Sequence, residues 1–163
     1  MKDESVGQEL APATPVKTTA YLGLGTNLGD RSANLERALR ELEQAGVRVI
    51  ARSRAHETEP WGITDQPKFL NMAVAVETTL TASELHWLLK EIERRMGRTP
   101  GPRYGPRMID LDLLTYGDQR IETPELTVPH PGMARPFVAA PLAEIAPDLV
   151  LPDGRTAREA RER

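Results

Sequence analysis

The stretch "RYGPRMIDLDLL", residues 103–114, decides how the chain folds. From residue 109 onward apolar and acidic residues alternate, which is the period of a strand whose successive side chains point to opposite faces. Ile109, Leu111 and Leu113 fall on one face, and Asp110 and Asp112 on the other. Two like charges side by side cannot be buried without compensation, since an unpaired buried charge costs several kcal/mol. The acidic face must therefore meet water or a cation. A half-buried strand with a solvated polar face satisfies the same pattern.

Upstream of this strand the pattern is regular. "TTAYLGLG" (residues 18–25) reads as a first strand. Asp30 or Ser32 caps a helix to about Ala45, with Leu35, Ala38, Leu39 and Leu42 at helical spacing and Gly46 as its stop. "VRVIARSR" (47–54) alternates as a strand with one wet face, "ETEPWGITDQPK" (57–68) reads as a long loop, and "FLNMAVAVET" (69–78) as a third strand. Thr81 and Glu84 form a capping box for a second helix, whose apolar face is Leu85, Leu88, Leu89, Ile92 and Met96 and whose end is Gly97. Downstream, a short helix is expected near residues 137–145 and a short strand at 149–151. Strand, helix, strand, strand, helix, strand is the order of a ferredoxin-like split βαβ sandwich. The fold class is thus α+β, with a mostly antiparallel sheet and helices packed on it.

The composition narrows the functional classes. A chain of 163 residues can bury one sizeable core, and 39% hydrophobic with 28% charged residues suits a globular protein. Residues 1–17 read as a disordered tail and 18–163 as a single domain. The formal net charge of -3 and 4% aromatic content argue against an RNA-binding sheet, whose bases stack on aromatics over a basic face. With no cysteine there is neither a disulfide framework nor a thiolate metal site. No apolar run reaches the length of a membrane span, and a cytoplasmic location is compatible.

Three groups of residues could carry chemistry. "GLGTNLGD" (23–30) has glycines between strand and helix, but the spacing misses a dinucleotide fingerprint by one residue, so it reads as a tight structural turn. Among the histidines, His56, His86 and His130 form no metal-binding pattern; His86 reads as a surface residue, while His130 is pinned between prolines. Asp110 and Asp112 are the strongest signal, because Mg²⁺ takes one or two carboxylates and leaves its other positions to water and phosphate. Arg98, Arg103 and Arg107 come just before them, and arginine forks suit phosphate oxygens. A second half-site lies upstream: Trp61 offers a ring, and Phe69 and Asn71 share a strand face where a flat heterocycle could stack and hydrogen-bond. Phe69 in the core and Asn71 at a strand end is the alternative.

Taken together, "GTNLGD" (25–30), "TEPWG" (58–62), "DQPKFLN" (65–71), "GRTPGPRYGPRMIDLDLL" (97–114), "LTVPHP" (126–131) and "FVAAPLAEIAP" (137–147) resemble the 6-hydroxymethyl-7,8-dihydropterin pyrophosphokinases, a family of folate biosynthesis. The resemblance runs over about residues 19–153. It implies transfer of the β- and γ-phosphates of ATP, as one group, to the pterin hydroxymethyl, with AMP leaving. It also implies two Mg²⁺ ions held by Asp110 and Asp112, with Arg98 and Arg107 acting alongside them in catalysis. By position, the pterin pocket resembles Thr58, Pro60, Trp61 and Asn71, with Phe69 and Phe137 on either side of the ring. The nucleotide side resembles Glu93, Arg98, Arg107, Leu113, Thr127, His130 and Arg135, and Arg103 and Tyr104 lie on a loop that closes over the site. Residues 99–102, Thr-Pro-Gly-Pro, are shorter and less basic than the matching stretch in many members. The implied protein is a monomer acting on ATP and hydroxymethyldihydropterin, with no nucleic-acid or membrane partner.

Overall fold

The computed structural model describes residues 16–59, 65–97 and 107–161. Residues 1–15 of the expected tail lie outside them; Val16 and Lys17 are exposed. The first strand, β1 (Thr18–Thr26), leads into α1 (Arg31–Gln44), where Asp30 is the N-cap and accepts a hydrogen bond from Ala33 N. Gly46, at φ +87°, supplies the left-handed conformation that lets the chain leave the helix. β2 (Arg48–Arg52) follows, then β3 (His56–Thr58), β4 (Phe69–Thr78) and α2 (Ala82–Arg95). The Thr81/Glu84 capping box at the start of α2 forms in both directions. β5 (Asp110–Tyr116) is the acidic strand.

The main sheet runs in the order β2–β4–β1–β5, every pairing antiparallel, and β3 continues along the same edge of β4 as β2. β1 and β4 are central and β2 and β5 outermost, as the split βαβ order requires of its first, third, second and fourth long strands. β3 corrects the expected 57–68 loop, because Glu57 and Thr58 pair with Leu70 and Phe69. Three residues amid turn formers are too few to show a strand period, and only the register with β4 makes them one. Past β5, residues 117–128 form a small ribbon of β6 (Ile121–Glu122) and β7 (Thr127–Val128). Then come α3 (Pro136–Ile145) and α4 (Ala157–Ala160). The strand expected at 149–151 is reduced to an isolated bridge, Val150 to Thr156.

The sheet is apolar on both faces, but unequally. One face carries Ala20, Leu22, Leu24, Val74, Val76, Leu111 and Leu113 against the stripes of α1 and α2. Fully burying a leucine there contributes about 1.5–3 kcal/mol. Among the described residues the other face is covered only in part, where Ala73 and Leu114 meet Met133, Ala139, Leu142 and α4. Leu114 reaches that face through a bulge: Tyr21 pairs with Thr115 and Leu22 with Leu113, leaving residue 114 as the extra one. The part of this second face that the described residues leave uncovered holds the candidate site.

α3 is tied to the sheet by Glu144, which accepts from Arg54 N at 2.8 Å, the Arg54 guanidinium at 3.2 Å and His56 Nε2 at 2.5 Å. Burial works against its charged form, but these donors outweigh it and hold its pKa below the usual 4.5. A depressed carboxylate pKa stabilises the fold above the unfolded value, and that stabilisation is lost as pH falls through the folded one. Glu144→Gln is therefore expected to cost about 1 kcal/mol at neutral pH. Urea unfolding across a pH series should show the gap closing below 4.5; an unchanged gap in strong acid would contradict the assignment.

Candidate active site

A cavity of about 370 Å³ opens on the second face of the sheet, between β5, β4 and the start of α3. Its floor is a row across three strands. Asn71 of β4 pairs with Gly25 of β1, and Gly25 pairs with Asp110 of β5; one step along, Ala73, Gly23 and Asp112 make a second row. With strands about 4.8 Å apart, the amide and the carboxylates stand roughly 10 Å apart at the backbone. Only glycine lies between them. A Cβ on Gly25 would fall 2.9 Å from Asn71 Oδ1, so the amide occupies space that any other residue would take.

Two of the three glycines of "GLGTNLGD" thus follow the strand expected at 18–25 rather than the turn read from the stretch as a whole. Gly23 and Gly25 lie inside β1 rather than in a turn, and of the three only Gly29, at φ +66°, has a turn conformation. The sequence pattern alone cannot separate a glycine that bends the chain from one that makes room.

On the acidic side the alternation is as expected. Ile109, Leu111 and Leu113 are at most 2% exposed, while Asp110 and Asp112 line the cavity. Arg107 Nε lies 3.8 Å from Asp110 Oδ1, and Arg107 and Arg135 both line the same space. Leu113, expected on the nucleotide side, faces the core. Glu93 does not line the cavity. It is 2% exposed, and its Oε2 accepts from Leu111 N at 2.7 Å and from Lys90 Nζ at 3.2 Å. Lys90 Nζ also donates to Leu111 O at 3.1 Å. Lys90 and Glu93, one helical turn apart, thereby stand in for a neighbouring strand at the open edge of β5. Lys90 also lines the cavity, and sequence reasoning missed it; its only signal was the spacing to Glu93. His86 is half-buried on the same helix. Burial first, then the Lys90 charge, hold its pKa below the usual 6.5 despite Glu93, Asp112 and Glu125, so it is neutral at pH 7.

On the opposite side Asn71 Nδ2 donates to Thr58 Oγ1 at 2.6 Å, which brings two of the expected residues together. Phe69, on the face of Asn71, and Phe137, in the first turn of α3, line the cavity with them. His130 and Thr127 lie outside this lining; His130 N donates to Leu114 O at 2.8 Å, and its Nδ1 accepts from Gly132 N at 2.9 Å. Pro60, Trp61, Arg98, Arg103 and Tyr104 fall outside the described residues.

Among the described residues no group of three or more His, Cys, Asp or Glu side chains could close around a metal. Two carboxylates on one strand face instead suit Mg²⁺, which keeps waters or phosphate oxygens in its remaining positions. Chemically, one wall can take a metal-bound polyanion, and the other a flat ring that both stacks and hydrogen-bonds. That combination defines a class, a site that brings a phosphate donor and a heterocyclic acceptor together.

Comparison with known proteins gives the family. Residues 21–147 match the family described as 7,8-dihydro-6-hydroxymethylpterin-pyrophosphokinase (HPPK). The 2-amino-4-hydroxy-6-hydroxymethyldihydropteridine pyrophosphokinase of Methylorubrum extorquens is 49% identical over 145 residues, covering 88% of this chain and 91% of that one. That of Bacillus subtilis is 50% identical over 128 residues, 77% of each chain. The fold matches a crystallised HPPK-DHPS in complex with substrates at a TM-score of 0.71 and 15% identity, over 91% of this chain and 43% of that one. It likewise matches the wild-type HPPK-DHPS of Plasmodium falciparum with pteroate at 0.70 and 17%, over 93% and 43%. The chain belongs to the HPPK family.

The glycine floor is open to test. Gly25→Ala should push the Asn71 amide off Thr58 and cost about 1–3 kcal/mol in denaturant unfolding. Gly23→Ala, whose new Cβ meets Leu114 at an ordinary 3.6 Å, should cost less. Equal costs would show that the floor has no special need for space beside Asn71.

Proposed function

We propose that this protein transfers pyrophosphate from ATP to the hydroxymethyl group of 6-hydroxymethyl-7,8-dihydropterin, giving AMP and the pterin diphosphate in folate biosynthesis. The observation that carries the reading is the shared cavity, with Asp110 and Asp112 on one side of the glycine floor and Asn71 on the other. Family membership supports the same conclusion.

In this reading Asn71 and Thr58 hold the polar edge of the pterin, and Phe69 and Phe137 pack against its ring. Arg107 and Arg135 take phosphate oxygens, as would Arg98. Asp110 and Asp112 would hold Mg²⁺, two ions by resemblance to the family. Mg²⁺ held there would supply positive charge against the negative charge that develops on the phosphates during transfer. Glu93 acts from beneath, by fixing the Leu111 backbone between the two aspartates. The contribution of the chain is mainly positioning: the acceptor oxygen is brought in line with the donor phosphorus, which can account for several kcal/mol of the barrier. Residues 18–163 act as one domain, a cytoplasmic monomer. No helix among the described residues is long and apolar enough to cross a membrane.

Product analysis tests the reaction. With ATP, Mg²⁺ and reduced 6-hydroxymethylpterin, chromatography should show AMP and pterin diphosphate in equal amounts, and neither without pterin or metal. ADP as the product would overturn the proposal. Asp112→Ala should lower turnover at least about a thousandfold with the melting temperature nearly unchanged, because it removes a metal ligand and no core contact. Near-normal turnover would remove Asp112 from the metal site.

A further inference from the structure

Asn27 stands just past the end of β1 in the "GTNLGD" stretch and is 1% exposed, yet it does not line the cavity. Its side chain joins two segments far away in sequence. Nδ2 donates to Gln66 Oε1 at 2.8 Å and to Pro67 O at 2.9 Å. Oδ1 accepts from Arg107 N at 2.8 Å, and Asn27 N donates to Arg107 O at 3.0 Å. Gln66 and Pro67 lead directly into Phe69 and Asn71, on the heterocycle wall. Arg107 lines the phosphate wall and leads into Asp110.

A side-chain amide offers two N–H donors and one carbonyl oxygen, and here all three are used. No other uncharged side chain of that size can serve two acceptors and one donor together. Leaving any of these groups unsatisfied in a buried place is costly, so the arrangement is stiff. A loop tie that served stability alone could link either segment to the end of β1. This one links both segments to the same amide, at the point where the floor of the cavity ends.

We propose that Asn27 is a positioning residue for the reaction, fixing the heterocycle wall and the phosphate wall relative to one another. The inference rests on the pyrophosphoryl-transfer reading above. Its consequence is specific. Each wall keeps its own contacts when Asn27 is changed, so each substrate still binds. What is lost is alignment between them, and a displacement of about 1 Å can cost about a hundredfold in rate. Asp in place of Asn keeps the acceptor for Arg107 N but loses both donors toward Gln66 and Pro67, so it cuts one arm alone.

The test is steady-state AMP release with both substrates varied, for wild type, Asn27→Ala, Asn27→Asp and Gln66→Ala, each with its melting temperature. For Asn27→Ala, kcat should fall about a hundredfold while both KM values stay within about threefold. Asn27→Asp should lose about tenfold and Gln66→Ala a few-fold, again in kcat. A rise in one KM with kcat unchanged overturns the proposal, as does a rate loss that merely tracks the unfolded fraction. If Asn27→Ala fails to fold, the other two variants carry the same comparison. Wild type that releases no AMP overturns the functional reading instead. The positioning claim is then decided by NMR: the Arg107 amide should shift when reduced 6-hydroxymethylpterin binds wild type, and not when it binds Asn27→Asp or Gln66→Ala. Equal shifts in all three overturn it.

Discussion

The backbone of Leu111 is the point on which the charged side of the molecule depends. Its side chain is fully buried, its N–H is held by Glu93 and its carbonyl by Lys90. A strand at the edge of a sheet ordinarily presents such groups to water, where they fray or pair with another chain. Here a helix side-chain pair closes the edge. The two residues flanking Leu111 are then held with their carboxylates on the far face, side by side, against their mutual repulsion. The buried Glu93 carboxylate is compensated by an ion pair and a backbone donor, which is what makes its burial tolerable.

From that strand the sandwich divides its work between its faces. The face toward α1 and α2 supplies most of the apolar burial and needs no other role. Among the described residues the opposite face is sealed by α3 and α4 at one end and left open at the other. The bulge at Leu114 belongs to this division. It sends one more leucine to the second face just where the cover begins, so the cavity has an apolar back wall behind its charged rim.

Much of this was legible in the sequence, for a physical reason. Period-two alternation at residues 109–113, helical stripes on α1 and α2, and the Thr81/Glu84 box are local signals, and each appears as read. Phe69 and Asn71 share a face because they are two residues apart on a strand. What escaped was non-local. β3 exists only through its register with β4, and residues 149–151 find only a single bridge, Val150 to Thr156, among the described residues. Gly23 and Gly25 have meaning only once Asn71 and Leu114 are known to lie across from them. Lys90 and Glu93 look like ordinary helix residues until Leu111 is placed beside them.

The glycine floor has a further consequence. Because nothing but main chain separates the amide from the carboxylates, the span of the cavity is counted in sheet spacings, steps of about 4.8 Å. Side-chain replacement can change what the walls prefer, but it cannot stretch or shorten such a ruler by a fraction of a step. The backbone spacing between Asn71 and the two aspartates is therefore set by peptide hydrogen bonding itself, the least mutable component of the protein. Side-chain replacement can alter the ends of the site, while the backbone spacing beneath them stays the same.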